Sequence, residues 1–469
     1  MVKQNIEIGI VGAGIGGVMA SIAIALAGGK VTILEAADKL GEIGAGIQMT
    51  PNVARLLQRY GIDKVIGNDL VQFTELNLRD KDGKVIGYTP IDRIEKTLGH
   101  PWWLVHRHHL HNGLVEVARK NGVNIIIDSR VASLEQKPNS KVTATTEKGK
   151  AFEFDLLIGA DGVRSVVRRT LFPNVSPRPP SGNCAYRAVV PWEEVRRDPL
   201  TRELVENKDG SVRKTMEVWM APTGYIISYP ISDAKLFNMV LSHFRPTLID
   251  QVQEVTIEEV RNEYKTYDPR IRRVVEKIQP GISRWPLLVT GPLESWSNSA
   301  KNVVLMGDAA HSMTNHMAQG AATSMEDGAF LARCIAEVVR GRMEICDAVK
   351  LYENGRMPKA SYKQQVSYLN GWLWHLPEGP AQRARNKAME PEIRGEGTLR
   401  SPNLYGDPAT VLNCYGYDAE AHADDDIATW HNKGKVVRDE STTVVKAEAD
   451  KIVNWFLPEN TKYPIRSKL

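Results

Sequence analysis

Apolar residues in this chain fall into short runs that stop abruptly at glycine or an acidic residue. Ile6-Glu-Ile-Gly-Ile-Val11 predicts a short buried parallel strand. Val18 to Ala27, all small or apolar apart from Ser21, predicts a helix, and Val31 to Leu34 a second strand that ends at Glu35. Two later runs have the same form. Asp155-Leu-Leu-Ile-Gly-Ala-Asp161-Gly162 and Asn302-Val-Val-Leu-Met-Gly307-Asp308 each predict a buried strand closed by an acidic turn. The second leads through Ala309-Ala310-His311 into a long helix, roughly Gln319 to Val339. Leu110, Leu114, Val117 and Ala118 have helical spacing after Trp102 to Arg107. Between the two acidic turns, Ala185 to Val190, Met216 to Met220, Tyr225 to Tyr229 and Phe237 to Ser242 are candidate strands. A further helix is predicted from about Asp347 to Trp374.

With 469 residues, the chain is long enough for two or three domains. Sixty Lys and Arg against 56 Asp and Glu leave a net charge of +4, too balanced to argue for nucleic acid or an anionic membrane as partner. Cys184, Cys334, Cys346 and Cys414 are scattered, with neither metal-ligand nor disulfide-framework spacing, which suits a reducing compartment. No apolar run has the length of a transmembrane segment, and a strand starting within a few residues of Met1 leaves no room for a signal peptide. The last three residues, Ser467-Lys468-Leu469, match the peroxisomal address read by a soluble import receptor, so peroxisomal import is expected.

Gly12-Ala-Gly14-Ile-Gly-Gly17 lies between the first strand and first helix, where a dinucleotide-binding turn belongs. Gly12 would make the tight turn, Gly14 would admit a pyrophosphate to the backbone, and Gly17 would permit close helix–strand packing. The helix N-terminus then offers N–H groups and a positive dipole end to phosphate. Glu35, 23 residues after Gly12, can accept ribose hydroxyls. The loop Gly41 to Ile47, with Gly44, Ala45 and Gly46, could bring backbone against a planar ring, although such loops are also ordinary turns. Arg107, at the entrance of a helix, is placed to pair with phosphate oxygens. His106, His108, His109 and His111 cluster in sequence but face different ways and lack metal-ligand spacing, so most read as structural. Asp424-Asp-Asp426 reads as a solvated turn.

The trio GAGIGG, GADGVRSVVR and GDAAH, with Glu35, the Ile43-Gly-Ala-Gly-Ile47 loop and His106-Arg-x-x-Leu110, resembles the class A flavoprotein aromatic monooxygenases related to para-hydroxybenzoate hydroxylase. Within them the chain is similar to fungal salicylate-hydroxylase-like enzymes. The resemblance implies an α/β fold: a glutathione-reductase-like FAD-binding domain interrupted by a substrate domain with a mostly antiparallel β-sheet, followed by C-terminal helices. It sets the FAD-binding domain at 1–180 and 286–375, the substrate domain at 181–285 and a C-terminal extension at 376–469. FAD contacts carry over to Gly12, Gly14, Gly17, Glu35, Ala45, Gly46, Arg107 and Asp308. Gly320 and Ala321 would lie against the isoalloxazine ring, and Asp161 would serve pyrophosphate and communication with NAD(P)H.

The implied reaction is reduction of FAD by transiently bound NAD(P)H, addition of O2 at flavin C4a, and delivery of oxygen from the hydroperoxide to a phenolic or hydroxybenzoate-like ring. No second GxGxxG unit is present, in keeping with that. Arg187 resembles a phenolate or carboxylate anchor and Tyr229 its hydrogen-bonding partner, while a salt bridge and a core tyrosine are their plain alternatives. Many members carry a proline beside the flavin where this chain has Asn315 and His316, which could contact substrate or flavin or cap the next helix. The C-terminal helices would cover the substrate entrance or form a homodimer contact. An FAD-linked reductase or dehydrogenase of the same fold, acting without oxygen insertion, is the alternative activity, and a flavin-binding protein without turnover a third reading.

Overall fold

The computed structural model describes residues 5–41, 44–136, 141–180, 182–433, 452–458 and 461, so Ser467 to Leu469 lie outside the described residues. At its centre is a five-stranded sheet in the order Val303–Leu305, Leu156–Gly159, Glu7–Val11, Lys30–Leu34 and Asn124–Ile126. Every neighbouring pair is parallel. The strands read as continuous apolar runs because both of their faces are covered.

Helix Ile15–Leu26 starts earlier than the apolar pattern predicts. Gly16 and Gly17 count against a helix on propensity, but here they are buried in its first turn, where side chains would collide. A Cβ on Gly17 would overlap the carbonyl oxygen of Gly12. The same closeness recurs where this helix meets Gly320–Val339: a Cβ on Gly328 would lie 2.7 Å from Cα of Ala20.

The four strands expected between the acidic turns form the middle of an eight-stranded sheet. Its order is 253–254, Ser283–Pro286, Asn183–Pro191, Leu236–Phe244, Gly224–Ile231, Thr215–Ala221, Glu75–Asp80 and Val85–Pro90. The pairings are antiparallel apart from 215–220 with 75–80. The last two strands come from the first quarter of the chain, well before the rest of their sheet. One face carries Tyr186, Trp219, Leu241 and Met239 into a core closed by helices Ile257–Glu263 and Pro269–Val275. The opposite face looks toward the site.

Helix Ile345–Trp374 follows the expected course. Asp424 to Asp426 are not a turn but part of helix Ala419–Lys433, where Asp424 accepts both Nε and Nη2 of Arg333 at 2.7 and 2.8 Å. Asp424 and Asp425 are exposed, as three acids in a row suggested, but they lie on a helix whose Asp424 is paired with a residue 91 positions away. Among the described residues no helix is long and apolar enough to cross a membrane, and no group of three or more His, Cys, Asp or Glu could hold a metal ion.

Candidate active site

The register of the parallel sheet brings the three glycine-acid segments together. Val11 pairs with Gly159, and Gly159 with Leu305, so three strands end level and their following turns lie side by side. Gly12, at φ 102°, makes the first turn; a Cβ there would stand 2.6 Å from the carbonyl oxygen of Ala160. A Cβ on Gly14 would meet nothing within 4 Å, so the space above the loop is open. Glu35 leans back over this loop, its Oε2 accepting the Ala13 N–H at 2.6 Å and its Oε1 the Ala37 N–H at 2.8 Å. A carboxylate has about four acceptor positions, so lone pairs remain. His111 is buried and shares a 2.7 Å hydrogen bond with the Ala13 carbonyl, a structural role as the sequence suggested.

Asp161 turns its carboxylate inward. It accepts the Ser165 hydroxyl and the N–H groups of Val166 and Val167, at 2.6 and 3.2 Å for the latter two, closing the start of helix Val166–Leu171. Burial raises its pKa against the pull of those bonds. Arg168, fully buried, donates to the carbonyls of Val163 and Ala309 at 2.6 and 3.0 Å. Asp308 opens helix Asp308–His311. Its side chain is exposed, yet surrounding protein raises its pKa, opposed by the nearby His311, Arg107 and Arg168. Its carboxylate is thus open to solvent while protein surrounds it closely. Arg107 begins helix Arg107–Lys120, and its N–H donates to the Ala45 carbonyl at 3.2 Å. Gly320 and Ala321 start the long helix half-buried; a Cβ on Gly320 would find only Met313 Cγ, at 3.9 Å.

This collection fits FAD. A cofactor would find open space above Gly14, an exposed carboxylate at Asp308 and room beside the helix start at Gly320. Beneath it lies a buried charge cluster that sequence reasoning missed. Glu326 accepts Asn52, Lys363 and Arg356, at 2.6, 2.5 and 2.9 Å. Asp327 accepts Arg356, His311 and the Gly307 N–H, at 2.8, 2.6 and 3.0 Å. Each of the four charged side chains Glu326, Asp327, Arg356 and Lys363 is at most 1 % exposed. His311 is therefore part of the scaffold of the third segment.

The eight-stranded sheet supplies the other wall. Directly paired residues point to the same face. Arg187 pairs with Val240 and Val240 with Ile227; Val189 pairs with Asn238 and Asn238 with Tyr229. Arg187 and Tyr229 therefore share a face, two strands apart and one step diagonal. Arg187 is exposed, its guanidinium 5.5 Å from the centre of the Trp285 ring. Tyr229 is buried, and burial raises its phenol pKa, opposed by Arg187 and Arg107. A Cβ on Gly46 would lie 2.9 Å from both Tyr229 Oη and Asn238 Cγ, and the Gly46 N–H donates to Asn238 Oδ1 at 2.6 Å. The sheet thus touches the Ala45–Gly46 loop.

Asn315 does not cap the next helix with its side chain; it accepts the Tyr225 hydroxyl at 3.0 Å. The His316 ring is buried beside Tyr225 and Trp374, at 5.5 and 6.0 Å between centres, with no hydrogen-bond partner on either nitrogen. Burial lowers its pKa to about 3, so it is a neutral imidazole. Tyr225, Asn238 and Trp285 belong to this wall and were not singled out from sequence. The signal was available in the two-residue strand period, which carries Tyr229 back to Tyr225.

Residues 5–361 match the family described as "FAD binding domain". An FAD-dependent monooxygenase, OpS4, of Beauveria bassiana (strain ARSEF 2860) is 28% identical over 434 residues, covering 91% of this chain and 98% of that protein. A 3-hydroxybenzoate 6-hydroxylase of Aquipseudomonas alcaligenes is 33% identical over 385 residues, 81% of this chain and 92% of that one. Among solved structures, a salicylate hydroxylase substrate complex superposes with a TM-score of 0.71 at 20% identity, covering 90% of this chain and 98% of that chain.

Proposed function

The chain belongs to the FAD binding domain family of FAD-dependent monooxygenases, and on that premise we propose that it hydroxylates a phenolic or hydroxybenzoate-like ring. The observation that supports this substrate class is the shared face of Arg187 and Tyr229 against the Gly46 loop. FAD, reduced by NAD(P)H, supplies the electrons that activate O2. The protein's part is to hold, orient and dry the ring. Gly12, Gly14 and Gly17 shape the pyrophosphate turn, with Glu35 at the ribose and the neighbouring Arg107 and Asp308 as further FAD contacts. Ala45, Gly46, Gly320 and Ala321 offer backbone to the flavin ring, and Asp161 holds the turn that carries it. Arg187 stabilises a phenolate or carboxylate, and Tyr229 orients it. Tyr225, Asn315 and His316 pack together behind this wall, and the neutral imidazole there can accept or donate without adding charge.

The same reading divides the chain into an FAD-binding domain at 1–180 and 286–375, a substrate domain at 181–285 and a C-terminal extension from 376, with strands 75–80 and 85–90 contributed to the substrate sheet. Ser467-Lys468-Leu469 would address it to peroxisomes. A fusion lacking these three residues that still reaches peroxisomes would dispose of that assignment.

The deciding experiment is a panel of phenols and hydroxybenzoates assayed for NAD(P)H consumption, with product mass measured under labelled O2. Incorporation of one labelled oxygen atom supports the hydroxylase reading. Turnover that is unchanged without oxygen would favour a reductase instead.

A further inference from the structure

Asn238 is fully buried in the middle of the substrate sheet, on the face shared by Arg187, Val189 and Tyr229. Its Oδ1 accepts the Gly46 N–H at 2.6 Å, while its Nδ2 has no acceptor. An asparagine amide can normally be turned either way, because oxygen and nitrogen are nearly alike in shape. Here the choice is settled chemically. A backbone N–H faces one end, so that end must be oxygen and the other must be NH2. A buried donor without an acceptor costs roughly as much as the loss of a hydrogen bond, and a paired side chain is the rule. Its directly paired neighbours in the sheet are Val189 on one side and Tyr229 on the other, and neither accepts a hydrogen bond from it.

We propose that Asn238 is a substrate-binding residue, its Oδ1 held by Gly46 and its NH2 donating to an oxygen substituent of the aromatic substrate. The proposal rests on the hydroxylase reading above. It adds a neutral amide donor to the cationic donors of Arg187 and the hydroxyl of Tyr229. It also joins the ring to the flavin-facing loop through one amide: whatever pulls on Nδ2 pulls, through Oδ1, on Gly46. Substrate and FAD loop would therefore be registered to each other by a single side chain.

The test uses the FAD-loaded enzyme and a ring ligand that perturbs its flavin absorbance, compared with analogues lacking each ring oxygen in turn. In the wild type, removing the oxygen that meets Asn238 should weaken binding roughly tenfold. Asn238→Asp keeps the acceptor for Gly46 and the shape, but removes the donor. In this variant the penalty for that same oxygen should fall to within about twofold, with FAD retained. Asn238→Ser, which is neutral, should reduce the same penalty, separating a lost donor from an added charge. Wild-type discrimination in both variants overturns the proposal, as does loss of FAD from Asn238→Asp, which would make the residue a scaffold for the loop. A wild-type flavin spectrum that responds to no phenol or hydroxybenzoate overturns the hydroxylase reading together with it.

Discussion

Arg168 donates from Nη1 to the carbonyl oxygen of Ala309 at 3.0 Å, and so bonds the second glycine-acid turn to the third. Its second terminal nitrogen, Nη2, donates to the Val163 carbonyl at 2.6 Å within the second turn. One buried cation thus sets the spacing of two of the three segments that fit FAD. Arg168→Leu leaves two carbonyls without this donor, at a cost of about 3 kcal/mol in stability. We expect a lower urea midpoint and weaker FAD retention on dilution, with Arg168→Lys intermediate because an ammonium cannot span both carbonyls. An Arg168→Leu protein that holds FAD as tightly as the wild type would show the link to be dispensable.

How much of this was legible in the sequence depends on whether the signal was local. The strands ending at Val11, Gly159 and Leu305 were readable because each apolar run stops at its own glycine or acid, and their parallel register then follows from burial on both faces. The partner of Arg168 was not readable, since 141 residues separate it from Ala309. Glu75 to Pro90 joining the substrate sheet was equally hidden, because a strand carries no mark of which sheet it will complete. Asp161 was recognised as part of a motif, but its carboxylate faces its own helix, a matter of one side-chain angle. Asn238 looked like any polar residue in a strand until Gly46 was placed against it.

The cluster of Glu326, Asp327, Arg356 and Lys363 makes a second prediction. Lys363→Met removes one cation from a site where Glu326 and its partners are almost wholly screened from water. Breaking such a buried pair typically costs about 3–5 kcal/mol, because the remaining charge is left uncompensated. Glu326→Gln with Lys363→Met should cost clearly less than the sum of the two single changes. Additive losses in chemical denaturation would mean that the two residues are not coupled.

Stability should also fall on mild acidification. Burial lowers the pKa of both His316 and His243 to about 3. The unfolded chain binds a proton at each ring below about pH 6.5, whereas the folded one does not until near pH 3. Their contribution is therefore intact above pH 6.5 and is lost progressively as the pH drops toward 3. Between pH 7 and 5 each histidine should account for about 2 kcal/mol of lost stability, before most carboxylates begin to titrate. Denaturant unfolding at the two pH values measures it. His316→Phe should flatten the dependence by about half of the two histidines' share, and an unchanged slope would show that His316 is protonated in the folded protein.

On the substrate wall, Arg187→Ala should raise KM for an anionic ring at least about tenfold, a charge-assisted bond being worth roughly twice a neutral one. FAD should stay bound, because Arg187 lies on the eight-stranded sheet and not on the glycine-acid turns. Tyr229→Phe keeps the ring that packs on Gly46 and removes only the hydroxyl. Its effect should appear in kcat and in the pH dependence of turnover. Loss of flavin absorbance from Arg187→Ala would instead move that residue into the FAD scaffold.

Gly14 and Gly17 separate the fold from the site within a single motif. A Cβ on Gly17 would overlap the carbonyl oxygen of Gly12, which is backbone and cannot turn aside. Gly17→Ala should therefore force the first helix away from its strand, lowering stability with or without FAD. A Cβ on Gly14 meets nothing within 4 Å. Gly14→Ala should consequently leave the apoprotein with a melting temperature near that of the wild type, while the added methyl occupies the space that a pyrophosphate would use. The expected pattern is a stable Gly14→Ala protein that binds FAD at least about tenfold more weakly, one step of roughly 1.4 kcal/mol, beside a destabilised Gly17→Ala protein. Paired thermal melts of apoprotein and FAD-loaded protein read both quantities. If Gly14→Ala binds FAD as the wild type does, the open space above this turn is not where the phosphates lie.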